Sequence, residues 1–259
     1  MRLSNSAIQC FKSCRRAYQL RYIEGITPLT SADSLVRGRD YHARVEQILE
    51  GVRTGKGFDF EIENPKVDAM ATAFSAHILP KLGTEIKAVE EWFEKPLPNG
   101  NVLVGRCDGI LPDGRIIEHK TTSGNLDEAY VASLQNDEQI LTYMWAYGVN
   151  EIVYTVCKVP TIKQKVGETD EEYYLRCCAW YGEDTEHKVG VINVYRSPEE
   201  IAEFEKDLFA ISEEIANAKL FYRVPGNCMK WGRQCEYASI CRNYDPQMEY
   251  VGFERRQKD

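Results

Sequence analysis

No apolar run in the 259 residues approaches the ~18–20 that a membrane-spanning helix needs. The opening, Met1-Arg2-Leu3-Ser4-Asn5-Ser6, lacks the apolar stretch of a signal peptide. A cytoplasmic protein with no membrane partner is therefore expected. Internal repeats and low-complexity segments are missing too, which excludes solenoids and disordered arrays. Positive charge is not in excess: 32 Lys and Arg face 40 Asp and Glu, for a formal net charge of −8. That argues against a protein coated all round by nucleic acid, but leaves room for a local basic groove. What is plentiful is cysteine. Nine is an odd number, so full internal pairing is excluded. In a reducing compartment such residues are free thiols or metal ligands.

Hydrophobic periodicity predicts helices over Ser4 to Tyr22, over 34–53 and over Ala69 to Leu82. The pattern changes after Gly83. Apolar runs separated by Asn99-Gly100 and by Pro112-Asp113-Gly114 predict three successive strands between about 86 and 121. A long helix over Leu126 to Tyr147 and a fourth strand over Glu151 to Val159 follow. Residues 161–188 read as a polar, partly helical insertion, and Lys188 to Tyr195 as a fifth strand. Ser197-Pro198-Glu199-Glu200 opens a helix that runs to about Leu220. This order predicts an α/β fold with a central mixed β-sheet flanked by helices.

The chemistry concentrates in Gly105-Arg106-Cys107-Asp108-Gly109-Ile110 and Ile117-Glu118-His119-Lys120-Thr121-Thr122. Residues two apart in a strand share a face, so Glu118 and Lys120 project together. A hairpin would bring Asp108 beside them. Two carboxylates at one site repel unless a cation lies between them, and hard oxygen ligands suit magnesium or manganese. A solvated hairpin with a surface Glu–Lys pair is the plain alternative; the preceding Ile116-Ile117 and the Asp108-Gly109 at hairpin distance argue against it.

This G-x-x-D-G…E-x-K pattern resembles the core of the PD-(D/E)XK nuclease superfamily, in particular its RecB-like branch. Gly38-Arg39-Asp40-Tyr41-His42 with Glu46 is similar to that branch's G-x-x-x-H-x-x-x-E helix. Gln139 and Tyr143 match its Q-x-x-x-Y helix, and Leu3-Ser4-x-Ser6…Phe11-x-x-Cys14-Arg15-Arg16-x-Tyr18 resembles its opening, with Arg15 where proline is usual. The resemblance implies one nuclease domain over 1–259, divided into N-terminal helices (1–82), a restriction-endonuclease-like core (83–220) and a Cys-rich tail (221–259). It implies that His42, Asp108, Glu118 and the backbone carbonyl of His119 bind the metal ion. Lys120 would be the catalytic lysine, with Gln139 and Tyr143 beside it. The reaction implied is phosphodiester hydrolysis by a metal-activated water, the substrate DNA with single strands or ends, and the activity that of an exonuclease. The chain has no G-x-x-x-x-G-K-[ST] motif, so any unwinding would need a helicase or another DNA-processing partner.

Cys228, Cys235 and Cys241 cluster in the tail and are one thiolate short of a tetrahedral set. Iron–sulfur members of the RecB-like branch, among CRISPR-associated nucleases and AddB-type helicase–nucleases, use one N-terminal cysteine and three C-terminal ones. The resemblance therefore implies that Cys14 joins the other three around a 4Fe–4S cluster that ties the chain ends together, with zinc as the alternative. The departure is the six-residue gap between Cys228 and Cys235, where that branch has two. Cys10 is a rival for Cys14. Cys107, Cys157, Cys177 and Cys178 read as packing residues.

Arg15, Arg16, Arg21, Arg37, Arg39 and Arg44 form a local basic concentration suited to phosphates, and Tyr18, Tyr22 and Tyr41 offer stacking faces, although aromatic residues at helical spacing are more often core. Two rival functions remain open at this point. One is a non-catalytic DNA-binding or assembly subunit that keeps the fold. The other is a Cys-rich zinc or iron–sulfur adaptor.

Overall fold

A computed structural model describes residues 1–59, 61–230 and 232–256, so the last three residues of the expected tail lie outside the described residues. In chain order the elements are β1 (Arg2–Ser4), α1 (Asn5–Ser13), α2 (Arg15–Tyr18), β2 (Ile26–Pro28), α3 (Asp33–Thr54), α4 (Pro65–Ala73), α5 (Leu79–Leu82), β3 (Ala88–Pro96), β4 (Val102–Ile110), β5 (Ile116–Thr122), α6 (Glu128–Ser133), α7 (Glu138–Tyr147), β6 (Glu151–Lys158), α8 (Asp170–Glu183), β7 (Val189–Tyr195), α9 (Pro198–Asn217), β8 (Met229–Lys230), β9 (Arg233–Gln234), α10 (Ala238–Cys241) and β10 (Phe253–Arg255). The main sheet has the order β1-β4-β5-β6-β7, with β3 on β4. β5 runs parallel to β6 and antiparallel to β4, and β7 is antiparallel to β6. This is the expected α/β architecture with a mixed central sheet.

Two compact units divide the chain. One comprises Asp33–Phe93 and Arg106–Glu203. Its core is built on the inner stripe of α3, where Tyr41, Val45, Ile48 and Leu49 recur at helical spacing and are fully buried. They pack with Met70, Phe74 and Ile78, with Ile117 and Val153 of the sheet, and with Tyr181 of α8. α8 begins in a capping box between Thr169 and Glu172. The other unit comprises Met1–Ala32, Glu94–Gly105 and Phe204–Asp259. There Leu20, Ile26, Tyr237 and Ile240 form a small core, β2 pairs antiparallel with β10, and β1 pairs parallel with the start of β4.

The structure departs from the periodicity at specific residues. The helix expected over 4–22 is preceded by β1. Ser4 caps α1 by accepting from the Ala7 N–H, and Cys14, in extended backbone, separates α1 from α2. The helix expected over 126–147 divides because Asp137 is extended and caps α7 through the Gln139 N–H. The third helix starts earlier than expected, at Pro65 behind the cap residue Asn64, and loosens into a wide π-turn over Phe74–Ile78.

Candidate active site

Three elements converge on one pocket. α3 presents Arg39, His42, Ala43 and Glu46, spaced i, i+3, i+4 and i+7, on the flank beside its buried stripe. β4 and β5 are joined by a tight turn in which Gly114 (φ +91°) donates to the Leu111 carbonyl and the Leu111 N–H to that of Arg115. The turn sets Gly109 opposite Ile117 and so brings Asp108 beside Glu118. The space at Gly109 is tight: a Cβ would stand 3.2 Å from Ile117 Cδ1, which would have to shift by a few tenths of an ångström, and in ordinary contact with the Ala88 carbonyl oxygen at 3.5 Å. α7 supplies Gln139 and Tyr143. The pocket has a volume of about 260 Å³.

Asp108 is held from two sides. Its Oδ1 lies 3.2 Å from His42 Nδ1, and its Oδ2 accepts the backbone N–H of His119 at 2.6 Å. Burial works to raise its pKa, but the His42 hydrogen bond, nearby imidazole charge and the His119 N–H together outweigh burial and bring it down to about 2. Glu118 is 2% exposed. Its Oε1 accepts from Lys120 Nζ, while its Oε2 is buried without a hydrogen-bond partner. Lys120 Nζ also donates to Gln139 Oε1 at 2.6 Å, Gln139 Nε2 donates to the Tyr143 hydroxyl at 2.8 Å, and that hydroxyl donates to the Arg106 carbonyl at 2.9 Å. The chain of bonds fixes the orientation of the amide and of the ammonium. Burial first, and then the Asp108 charge, push Glu118 up to about 8 against the pull of Lys120. Burial works to lower Lys120, but the charge and hydrogen bond of Glu118, with the charges of Asp108 and Asp137, together outweigh it and raise Lys120.

One residue at the site escaped sequence reasoning. Glu90, on β3, offers a carboxylate oxygen that falls within 4.8 Å of a ring nitrogen of His42 and a carboxylate oxygen of Asp108, themselves as close to each other; these three could hold a metal ion. Glu90 is also the single non-glycine residue there with positive φ (+53°). Such a backbone costs about 1–3 kcal/mol and is kept where the surroundings demand it. An alternation pattern carries no trace of a local kink, and Glu90-Glu91 looks like ordinary strand-surface charge. The donor set of two carboxylates, an imidazole and the unpartnered Glu118 Oε2 fits a hard divalent cation.

A family model of the PD-(D/E)XK nuclease superfamily matches residues 2–242. The chain belongs to this superfamily. Among solved structures it is similar to a putative exonuclease from Eubacterium rectale, at 14% identity and a TM-score of 0.53, over 96% of this chain and 90% of that one. It also matches a phage-related exonuclease from Haemophilus somnus 129PT (18% identity, TM-score 0.37, 76% and 90% of the two chains). An alkaline exonuclease from Laribacter hongkongensis matches as well (15% identity, TM-score 0.37, 83% and 88%). No curated protein sequence matches the chain. At these identities the solved structures bear on the fold alone.

Within this superfamily fold, several expected nucleic-acid contacts are placed differently. Arg44 is turned into the protein, with its Nε on the fully buried Asp68 at 2.8 Å and its Nη2 on Glu63 at 2.9 Å. Arg15 pairs with Glu214 and Arg21 with Glu236. Of the six arginines, Arg39 lines the pocket. Tyr18 and Tyr41 are core residues, so neither stacks on a base. The His119 ring is buried on Thr155 Oγ1 at 2.5 Å, and burial lowers it to about 4, which leaves only its backbone facing the site chemistry. No helix among the described residues is long and apolar enough to cross a membrane.

The tail cysteines lie in the second unit. β8 and β9 form a hairpin of register Met229↔Gln234 and Lys230↔Arg233, and the Cys235 N–H donates to the Cys228 carbonyl at 2.9 Å. The six-residue gap thus folds the two cysteines into adjacent positions. Asn227 donates to the Ser13 carbonyl, and Lys230 Nζ lies 3.1 Å from Ser13 Oγ, next to Cys14. Burial raises the Cys235 and Cys241 thiols, and the nearby Cys14 thiol adds to both. Cys107, Cys157 and Cys177 are buried packing residues.

Proposed function

We propose that this protein is a metal-dependent DNA nuclease that acts as an exonuclease on ends or single strands. The observation that carries the reading is the Lys120 ammonium, held between Glu118 and Gln139 at the edge of a pocket that also contains His42, Glu90 and Asp108. A structural ion pair would have no use for an unpartnered carboxylate oxygen at its centre.

In this reading His42, Asp108, Glu118 and the His119 carbonyl hold magnesium or manganese. A divalent ion so bound supplies Lewis acidity toward the scissile phosphate. The protein's own groups do the rest. Asp108, fixed by the His119 N–H, keeps its charge over the whole physiological range. Lys120 Nζ carries the proton that faces the reacting centre, and its position is set by Gln139. The Tyr143 hydroxyl ties that arrangement to the Arg106 backbone, and Arg39 on the pocket wall attracts the phosphate.

The four thiols of Cys14, Cys228, Cys235 and Cys241 are proposed to hold a 4Fe–4S cluster. The β8–β9 hairpin and the influence of Cys14 on Cys235 and Cys241 support a shared site.

The test is cleavage of linear single- and double-stranded DNA labelled at either end, with manganese, magnesium or chelator, by wild type and by Lys120→Ala. Metal-dependent shortening from an end that the variant lacks is the expected result. No cutting by a folded, metal-loaded wild type would transfer the reading to a non-catalytic DNA-binding subunit.

A further inference from the structure

We propose that Glu90 and Arg106 form an exchangeable latch: a divalent ion takes over Glu90, and the released Arg106 guanidinium grips a DNA phosphate. The inference rests on the nuclease reading and names how metal loading and substrate binding are coupled.

Glu90 has two partners that cannot both be served fully. Its carboxylate is within ligand reach of His42 and Asp108, yet its Oε2 is ion-paired with Arg106 Nε. The left-handed backbone at Glu90 interrupts strand alternation and aims the side chain at this meeting point, where it is 13% exposed. A second observation shows a cation to be wanted there: the buried Glu118 Oε2 in the same pocket has no hydrogen-bond partner. Arg106 supplies positive charge beside the carboxylates, and its ion pair is with Glu90. An oxygen-seeking divalent ion can engage several at once, so it displaces the guanidinium from Glu90.

Arg106 is built to leave. Its side chain is 48% exposed, and its guanidinium lies 5.5 Å over the ring of Trp92, itself a 63% exposed residue. That aromatic face holds the cation outside the acid group. Its backbone stays fixed, because the carbonyl accepts from the Tyr143 hydroxyl at 2.9 Å. A freed guanidinium beside the pocket, with its fork of donors, matches a phosphate.

The experiment measures calcium binding by calorimetry and the affinity of a fluorescein-labelled single-stranded oligonucleotide with calcium or chelator. It uses wild type, Arg106→Gln, Glu90→Gln and the double variant, each checked for folding by thermal melting. Calcium is expected to tighten DNA binding by wild type about tenfold, the value of one charge-assisted contact. Arg106→Gln should bind calcium at least as tightly as wild type but lose that gain. In the Glu90→Gln background, Arg106→Gln should leave calcium affinity unchanged. A gain that survives Arg106→Gln overturns the latch, as does a calcium effect of Arg106→Gln that is undiminished without Glu90. Manganese-dependent cleavage by wild type is measured alongside. Cleavage without coupling overturns the latch and leaves the nuclease standing. Absence of cleavage and of DNA binding overturns both.

Discussion

Lys120 Nζ donates to Gln139 Oε1 at 2.6 Å, across the space between a strand and the first turn of a helix. The same ammonium contacts Glu118 two residues away, so its position is set by two elements. Lys120→Ala is expected to reduce cleavage by roughly 10³-fold or more, on the scale of losing a group aimed at developing charge. Gln139→Ala leaves the ammonium on Glu118 alone and should lower kcat by about 10–100-fold with little change in KM. Tyr143→Phe removes the bond to the Arg106 carbonyl and should cost about 1 kcal/mol of stability, with a smaller kinetic effect. Steady-state kinetics with thermal melts separate these; a Gln139→Ala enzyme with wild-type kcat would refute the positioning.

Glu118 predicts a pH dependence. Its folded-state value, pushed up to about 8 by burial and then by Asp108, exceeds its ordinary value of 4.5. The stability it contributes is therefore complete below pH 4.5 and lost as pH rises through 8. His42 slopes the same way: burial opposes its charge, but the Asp108 hydrogen bond keeps it protonated beyond its usual range. Asp108 acts only at the acid end, losing its contribution as pH falls toward 2. In chelator, the melting temperature should thus decline from pH 5 to pH 8, and Glu118→Gln should make that decline shallower. Manganese must displace the Glu118 proton, so its binding should tighten up to about pH 8 and release a proton at pH 7. Melting curves and calorimetry in buffers of different ionisation enthalpy read both effects; parallel slopes for wild type and Glu118→Gln would refute the assignment.

The parts of this site that were legible in sequence share one property: their geometry follows from a short repeat. The Pro112-Asp113-Gly114 turn sets Asp108 near Glu118, strand alternation pairs Glu118 with Lys120, and helical spacing aligns Gln139 with Tyr143. Glu90 was invisible because it depends on a kink at one residue. β1 was missed because Arg2-Leu3-Ser4 is too short to show any period. Arg44 misled because sequence records a charge but not its partner, and Asp68 is 24 residues away. The pairing of Cys228 with Cys235 follows from a hairpin with two-residue strands, shorter than periodicity can detect.

That Arg44–Asp68 pair makes a stability prediction. Asp68 is fully buried and accepts from Arg44 Nε at 2.8 Å and from the backbone N–H groups of Glu63 and Asn64 at 2.9 and 2.8 Å. Asp68→Ala leaves a 13% exposed guanidinium without this carboxylate. The expected cost is about 3–5 kcal/mol, or a melting temperature lower by roughly 10 °C. Asp68→Asn retains acceptors for the backbone and should cost less. DNA affinity at low temperature should be unchanged by either, since Arg44 faces inward; a selective loss of DNA binding without destabilisation would return Arg44 to the substrate groove.

The cysteines give the last prediction. The four expected ligands are placed by three local devices. Cys14 lies at the extended break between α1 and α2, Cys235 faces Cys228 across the hairpin, and Cys241 ends α10. Cys10 lies one helical turn before Cys14, which accepts no bond from it but donates its backbone N–H to the Cys10 carbonyl at 2.8 Å. Burial raises the Cys10 thiol to about 11, with Arg21 opposing. Protein purified without air should therefore be brown and carry about four iron and four sulfide per chain. Cys14→Ala and Cys235→Ala should lose colour and melt at lower temperature, because the cluster would bridge segments more than 200 residues apart in sequence. Cys10→Ala should keep both. Iron and sulfide analysis with absorption spectra decides: colour lost in Cys10→Ala and kept in Cys14→Ala would exchange the two ligands, one zinc per chain would replace the cluster, and a colourless, metal-free, stable wild type would remove it.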